Sequence, residues 1–145
     1  MNKVGIRSAH PDDGARIAEL SEVLGYPISA EAATSRLRHL LGRSDQIVLV
    51  AELGGKGVVG WIHAAEEQLL ESEPRCQILG LIIAAEQRGQ GTGRELVMRV
   101  EEWARARGLK QFSVRSNVLR AESHPFYQRL RFTRIKTQHV YRKQL

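Results

Sequence analysis

Residues Arg88 to Arg94 (Arg-Gly-Gln-Gly-Thr-Gly-Arg), called the glycine loop below, have the composition and spacing to bind a phosphate. Glycine permits φ > 0 and keeps a Cβ out of the way of a ligand. A helical periodicity follows the loop, and the first N–H groups of a helix lack partners within it and lie at the positive end of its dipole. The expected ligand is therefore a phosphate or a diphosphate.

Two common phosphate-binding loops do not fit this stretch. A P-loop requires Gly-Lys-Ser/Thr, whereas the sequence has Gly93-Arg94-Glu95. A dinucleotide fingerprint requires G-x-G-x-x-G, whereas Gly89, Gly91 and Gly93 are spaced G-x-G-x-G. The alternative to a phosphate-binding loop is a glycine-rich helix start that binds no ligand.

The elements on either side are those that would position such a loop. Residues 79–85 form a short apolar run, which is typical of a buried strand. After the loop, five apolar residues recur at helical spacing and Gly108 is the expected stop. These residues are Leu96, Val97, Val100, Trp103 and Ala104. The unit is predicted to be strand, glycine loop and helix.

This unit resembles the acyl-coenzyme A loop of the GNAT superfamily of N-acetyltransferases, whose pattern is Q/R-x-x-G-x-G/A. Arg88, Gly91 and Gly93 match it, and the strand is similar to the family's L-x-V-x-P-x-x-R, with Ala85 where proline is common. The resemblance implies acetyl-coenzyme A as cosubstrate and an oxyanion donor in the backbone near Ile82 and Ile83. The cofactor-binding residues that it implies in this part of the chain are Leu81, Ile82, Ile83, Arg88, Gly89, Gln90, Gly91, Thr92, Gly93 and Arg94.

Residues 116–132 carry a second resemblance, to the superfamily's ending, in which a strand closes on Asn and a helix carries F-Y-x-x-L-G-F. Four residues match this ending: Phe126, Tyr127, Leu130 and Phe132. Arg131 stands where glycine is usual, so we expect a different helix exit or mild strain there. The pattern S/T-N-x-x-R-x-x-A/S-H-x-F-Y is similar to the branch that acetylates small amines.

The second resemblance implies roles for three residues. Tyr127 would bind the cofactor and protonate the leaving thiolate, with a structural core aromatic as the alternative. Asn117 would bind the pantetheine arm or an ordered water, with a helix-capping Asx turn as the alternative. Arg120 would meet a cofactor phosphate or an anionic substrate, unless it is a solvated surface residue.

The sequence leaves the general base undecided. Many relatives place a glutamate on the glycine-loop strand, but here that region has Gln77, Leu79 and Gly80. The candidates are His63, Glu71, Glu73, His124 or a water relay. Cys76 is expected to be a buried hydrophobe rather than a nucleophile, and the five histidines lack metal-ligand spacing, so no metal is expected.

Composition predicts a single domain, residues 1–145, of a soluble protein. No apolar run is long enough for a membrane helix, the first residues lack a signal-peptide core, and a single cysteine excludes an internal disulfide. We therefore expect a cytoplasmic protein. The net charge of +6 is spread along the chain without a recognition motif, which disfavours nucleic acid as a partner. A homodimer is compatible with the sequence.

Hydrophobic patterns predict an α/β (α+β) chain with a mixed sheet of six to seven strands and about four helices, the GNAT fold. Six strands are placed at 4–9, 46–53, 58–65, about 75–85, 109–115 and 132–142. Two helices precede the second strand: one is capped by Asp12 or Asp13 and ends at Gly25, and one is capped by Ser29. A short helix is expected from about Ser123.

The function that these resemblances imply is transfer of an acetyl group from acetyl-coenzyme A to a primary amine of a small molecule. The amine must be neutral to attack, the oxyanion needs a donor, and the thiolate needs a proton. A non-catalytic acyl-coenzyme A sensor with the same fold is the first alternative, and a basic nucleic-acid-binding module is the second.

Overall fold

A computed structural model describes residues 4–116, 118–119 and 123–145. The chain divides into two compact units, Met1–Val114 and Arg115–Leu145. Within the described residues, the first unit contains five strands and three α-helices, and the second contains one short α-helix. The elements are β1 (Val4–Ser8), α1 (Gly14–Val23), α2 (Ala30–Leu41), β2 (Gln46–Leu53), β3 (Gly57–Glu67), β4 (Arg75–Ile83), α3 (Thr92–Ala106), β5 (Phe112–Val114) and α4 (Ser123–Arg129).

The strands form one mixed sheet in the order β1-β2-β3-β4-β5. Neighbours from β1 to β4 are antiparallel, whereas β4 and β5 are parallel. This follows from the connections, because short turns join antiparallel strands while a helix must cross over between parallel ones. The predicted mixed α/β sheet with four helices is therefore confirmed.

The predicted strand count was too high, since the described residues contain five strands and not six to seven. The strand predicted at 132–142 is absent, and residues 133–145 are all exposed. Its alternating pattern is that of a strand, but alternation alone supplies no neighbour to pair with. The strand predicted at 109–115 is also shorter, because β5 covers Phe112–Val114 only.

The core of the first unit lies between the sheet and the apolar faces of α1, α2 and α3. Leu96, Val97, Val100 and Ala104 of α3 are buried, as their spacing predicts. The last turns of α1 and α2 contribute less to the core, since Val23 and Leu41 are exposed. No helix in residues 4–116 or 123–145 is long and apolar enough to cross a bilayer.

The helix starts partly follow the sequence. Ser29 caps α2 by accepting from the Ala32 N–H at 3.0 Å, as predicted. Asp13 precedes α1 but its side chain does not cap that helix; it accepts from both terminal nitrogens of Arg7 and from the His10 N–H. Burial alone would raise the pKa of Asp13, but these hydrogen bonds hold it below its usual value.

Three helices end in the same hydrogen-bond pattern, with a residue at positive φ just after the last turn. Gly25 and Gly108 take this place after α1 and α3, at φ +87° and +78°. After α4 it is Arg131, at φ +70°. The Arg131 N–H bonds to the Gln128 carbonyl and the Phe132 N–H to the Tyr127 carbonyl, which is a Schellman motif. Arginine thus adopts the strained conformation that glycine relieves, rather than a different exit.

Replacing Arg131 by glycine is expected to stabilise the protein. Removing the Cβ from a left-handed residue relieves about 1–2 kcal/mol, offset in part by the greater freedom of glycine in the unfolded chain, so a net gain of about 0.5–1 kcal/mol is expected. Arg129→Gly, two residues earlier within α4, should instead lose about 1 kcal/mol. Urea unfolding of the three proteins measures both effects, and a destabilised Arg131→Gly variant would contradict the assignment.

Candidate functional site

The glycine loop joins β4 to α3 through a 3₁₀ turn, Ala85–Gln87. Gly89 and Gly91 both have positive φ, +77° and +85°, which glycine adopts without strain. Helix α3 begins at Thr92, and no side chain caps its N-terminus. The sequence therefore folds locally into the strand, loop and helix that its pattern predicts.

The main-chain N–H groups of residues 89–94 have no hydrogen-bond acceptor in the described part of the chain. They are not covered by neighbouring groups either, since a Cβ built on Gly89 or Gly91 would meet no atom within 4 Å. These six consecutive donors lie at the start of a helix of fifteen residues, where the helix dipole adds partial positive charge. This geometry suits an anion with several oxygens.

Gln87, which the sequence analysis did not single out, bonds to two side chains of the glycine loop. It is 5% exposed, and its amide nitrogen lies 3.3 Å from the Gln90 Oε1 and 3.4 Å from the Thr92 Oγ1. The Gln90 amide in turn donates to the Glu86 carbonyl. These bonds link side chains across the loop and leave its main-chain N–H groups available.

Two cations lie beside these donors. Arg88 and Arg94 are exposed, and neither forms an ion pair with a residue that the structure describes. Their charges therefore remain available to a polyanionic ligand, as the sequence suggested.

Strand β4 carries a β-bulge that the sequence did not reveal. His63 of β3 pairs with Gly80, but the next residue, Ala64, pairs with Ile78. Leu79 is thus the extra residue, and its side chain is half exposed. A bulge of this kind reverses which residues of the strand point their N–H groups to a given side.

The reversal determines which N–H groups of β4 face β5. Before the bulge, the Cys76 N–H bonds to the Gln111 carbonyl on the β5 side. After it, the Ala84 N–H bonds to Val59 of β3, so by alternation Ile82 also faces β3, while Leu81 and Ile83 face the other way. Of the two predicted oxyanion donors, Ile83 has this orientation and Ile82 does not.

The N–H and carbonyl groups of Leu81 and Ile83 face away from β3. On that side, this part of β4 has no paired strand. Parallel pairing between β4 and β5 covers three residue pairs and ends at Ile78 and Val114, whereas β4 continues to Ile83. We call Leu79–Ile83 the open edge of β4. An extended ligand that contains amides can bind to this edge through main-chain hydrogen bonds, in the way that an added β-strand binds.

Beside the open edge, one sheet face holds a group of partly buried side chains. Residues paired directly across strands share a face, which places His63 opposite Gly80 and Trp61 opposite Ile82. The Trp61 ring covers Gly80, since a Cβ there would lie 2.7 Å from it. The Trp61 indole N–H is buried without a partner among the described residues. Gly80 thus leaves room for the Trp61 ring.

His63 is the titratable side chain in this group. Burial lowers its pKa, so the ring is neutral at pH 7. Its Nε2 lies 2.7 Å from the Gln46 Oε1. With that oxygen as acceptor, Nε2 carries the proton and Nδ1 keeps a free lone pair.

The other candidate bases and the cysteine are less suited. Glu71 and Glu73 are exposed in the connection between β3 and β4. Cys76 is fully buried, and burial raises the pKa of its thiol to about 12, which suits a hydrophobic core residue better than a nucleophile.

In the second unit, Tyr127 lies in α4 with its ring edge-on to Phe126 and to Phe132, at centroid distances of 5.1 and 5.6 Å. Tyr127 and His124 are both partly buried. Asn117 and Arg120, which the sequence also singled out, lie outside the described residues.

Two further features bear on the site. No cluster of histidine, cysteine, aspartate or glutamate in the described residues could hold a metal ion. A shallow depression of about 290 Å³ lies at β1, lined in part by Arg7 and Glu52, which bond to each other. Because β2 and β3 separate β1 from β4, this depression is not part of the glycine-loop site.

The sequence model of the acetyltransferase (GNAT) family matches residues 15–132, and the chain belongs to that family. A search of curated protein sequences finds no significant match.

Solved structures share the fold over nearly the whole chain. One is the aminoglycoside 6'-N-acetyltransferase AAC(6')-Ih from Acinetobacter baumannii, with 19% identity, 99% of each chain covered and TM-score 0.84. Another is AAC(6')-Iy in complex with a bisubstrate analogue, CoA-S-monomethyl-acetylneamine, with 18% identity, 99% of each chain and TM-score 0.85. A third is a transcriptional regulator from Bacillus halodurans, with 25% identity, 99% of each chain and TM-score 0.81.

Gly91→Ala should weaken binding of a diphosphate ligand such as coenzyme A by about tenfold or more, or about 1.4 kcal/mol, because a Cβ at positive φ strains the loop and takes up space that is open in the structure. Gly55→Ala is the matched control, since Gly55 also has positive φ (+84°) and open space around it but lies in the β2–β3 turn. Both variants should lose about 1 kcal/mol of stability. Calorimetric titration measures the affinities, and equal loss of binding in both variants would contradict the site.

Proposed function

We propose that this member of the GNAT family transfers the acetyl group of acetyl-coenzyme A to a primary amine of a small molecule. The single observation that carries the proposal is the run of six unpaired N–H donors at residues 89–94, which suits the diphosphate of coenzyme A. Arg88 and Arg94 add charge beside it. The AAC(6')-Iy complex with a coenzyme A conjugate supports the same ligand and an amine acceptor.

The open edge of β4 is the proposed site of the pantetheine arm. Its amides can bond to the N–H and carbonyl groups of Leu81 and Ile83, which continue the line of β4 toward the glycine loop. Leu81 or Ile83 would also supply the N–H for the oxyanion, a contribution of about 2.7–4 kcal/mol when well aligned. Ile82 is assigned no such role, because its N–H points to β3.

His63 is the proposed general base. It is neutral, its Nδ1 is unprotonated, and it sits directly opposite Gly80, one residue from Leu81 at the open edge. The ring would take a proton from the ammonium form of the substrate. The amine lone pair then forms the C–N bond to the acetyl carbon. As the C–S bond breaks, the nitrogen gives up its second proton to water, and the departing thiolate takes up one proton from an acid that solvent then reprotonates.

Tyr127 is the proposed acid that protonates the departing thiolate, with Asn117 as a cofactor contact. Both assignments rest on the resemblance of residues 116–132 to the family's ending. The neutral tyrosine hydroxyl can supply the proton at pH 7.

The proposed reaction is tested by thiol release from acetyl-coenzyme A across a panel of amines, including aminoglycosides and simple alkylamines. We expect release with at least one small amine, and a rate about 10²-fold lower in Tyr127→Phe. Tight coenzyme A binding without thiol release for any amine would instead support the non-catalytic sensor.

His63→Gln should lower kcat by about 10²-fold or more while leaving coenzyme A affinity and melting temperature nearly unchanged. Because the pKa of His63 is lowered, the wild-type rate should fall only below about pH 6.5, where the base becomes protonated, and this acid limb should disappear in the variant. His39→Gln, at an exposed histidine of α2, is the control. An unchanged pH profile in His63→Gln would exclude His63 as the base.

A further inference from the structure

Gln46 is the hydrogen-bond partner of the His63 ring, and the sequence analysis gave it no role. Its Oε1 lies 2.7 Å from the His63 Nε2. The two residues are not directly opposite each other, because Gln46 pairs with Ala65 and His63 pairs with Val48. The contact is therefore a diagonal one between β2 and β3, which a side chain as long as glutamine can span.

The residues directly opposite His63 cannot make this bond with a side chain. Val48 on β2 is apolar and buried, and Gly80 on β4 has no side chain. A second glutamine, Gln77, lies on the other side of β3, where it pairs from β4 with the residue that Gln46 pairs with from β2. Gln77 is buried, but the hydrogen bond of the ring goes to Gln46. Among the described residues, the ring is therefore held from the β2 side.

This hydrogen bond decides which nitrogen of His63 is free. The Oε1 of a glutamine only accepts, so Nε2 carries the ring proton and Nδ1 keeps the lone pair. The tautomer of an imidazole is set in this way by the bond that its other nitrogen makes. Without Gln46, the ring could turn about its Cβ–Cγ bond and its proton could lie on either nitrogen.

The position of Gln46 also sets the direction of the lone pair. The two nitrogens of an imidazole direct their hydrogen and their lone pair to nearly opposite sides of the ring, so Nδ1 is turned away from Gln46. Gln46 lies on the β2 side of His63, one diagonal step toward Ala65. The opposite diagonal step leads to Ile82 of the open edge, because Ile82 pairs with Trp61. The lone pair is therefore turned toward the open edge of β4.

We propose that Gln46 is a positioning residue for the acetyl transfer, which acts through His63 by keeping the ring proton on Nε2 and turning Nδ1 toward the open edge of β4. The role of Gln46 rests on the proposed function, in which His63 is the base. When Nδ1 takes a proton from the ammonium group, the ring becomes an imidazolium. The Gln46 Oε1 then accepts from a charged donor, which makes a stronger hydrogen bond, so Gln46 stabilises the protonated base as well as orienting it.

Nitrogen NMR of the His63 ring in the ligand-free protein tests the tautomer without reference to activity. At about pH 9, where an imidazole is neutral, we expect a protonated Nε2 and an unprotonated Nδ1 in the wild type. Gln46→Glu keeps an acceptor oxygen and should give the same pattern. Gln46→Leu removes the acceptor, so the two nitrogen shifts should move toward each other as the ring samples both tautomers. Gln77→Leu is the matched control and should leave the His63 shifts as in the wild type.

A double-mutant cycle measures whether Gln46 acts through His63. In the wild-type background, Gln46→Leu should lower kcat by about tenfold and leave the KM for acetyl-coenzyme A unchanged, because one hydrogen bond to the base is lost. In the His63→Gln background, the same substitution should have little effect on kcat, because the ring that it positions is no longer there.

Two results would overturn the role of Gln46 and leave the proposed function intact. One is a wild-type His63 ring that is protonated at Nδ1. The other is an equal loss of kcat from Gln46→Leu in the wild-type and His63→Gln backgrounds. Absence of thiol release from the wild type with every amine would instead contradict the proposed function, and the role of Gln46 would fall with it.

Discussion

The unpaired main-chain N–H groups of the glycine loop are the constraint on which the rest of the site depends. Buried or half-buried donors without acceptors are costly, so a fold keeps them only where solvent or a ligand satisfies them. Gly89 and Gly91 hold the backbone at positive φ, and Gln87 bonds to the side chains of Gln90 and Thr92 without using the loop's main-chain N–H groups. The strand, the turn and α3 are arranged to keep these donors accessible at one helix terminus.

The open edge of β4 extends the same principle along the strand. The bulge at Leu79 and the early end of pairing with β5 leave the N–H groups of Leu81 and Ile83 facing a side of β4 that has no paired strand. A ligand with a diphosphate at one end and amides along its length would satisfy both sets of groups at once. Membership of the acetyltransferase family accords with this ligand, and the choice of acceptor amine rests on side chains beyond it.

Much of this arrangement was predictable from sequence because it depends on local patterns. The strand-loop-helix unit follows from the apolar run, the glycine spacing and the stripe that begins at Leu96. The helix ends at Gly25 and Gly108 follow from the same local chemistry. The roles of Tyr127 and Asn117 stay predictions, since they depend on how residues 115–145 meet the ligand.

What the sequence could not predict depends on pairing between distant residues. Whether β4 bulges at Leu79 is decided by its register with β3. No local sequence pattern therefore predicts that the N–H of Leu81, and not that of Ile82, faces the open edge. In the sequence, Gln87 has the features of an exposed loop residue, and only the folded loop shows that its side chain is buried. Alternation in 132–142 indicates a strand but not where its neighbour is.

The most direct measurement is the amide NMR spectrum of the protein during a titration with coenzyme A. We expect the largest shifts at the N–H groups of residues 89–94, with a second group of shifts at Leu81 and Ile83. Pantetheine without the diphosphate should shift only the second group. Binding that shifts amides elsewhere and leaves residues 89–94 unchanged would contradict it.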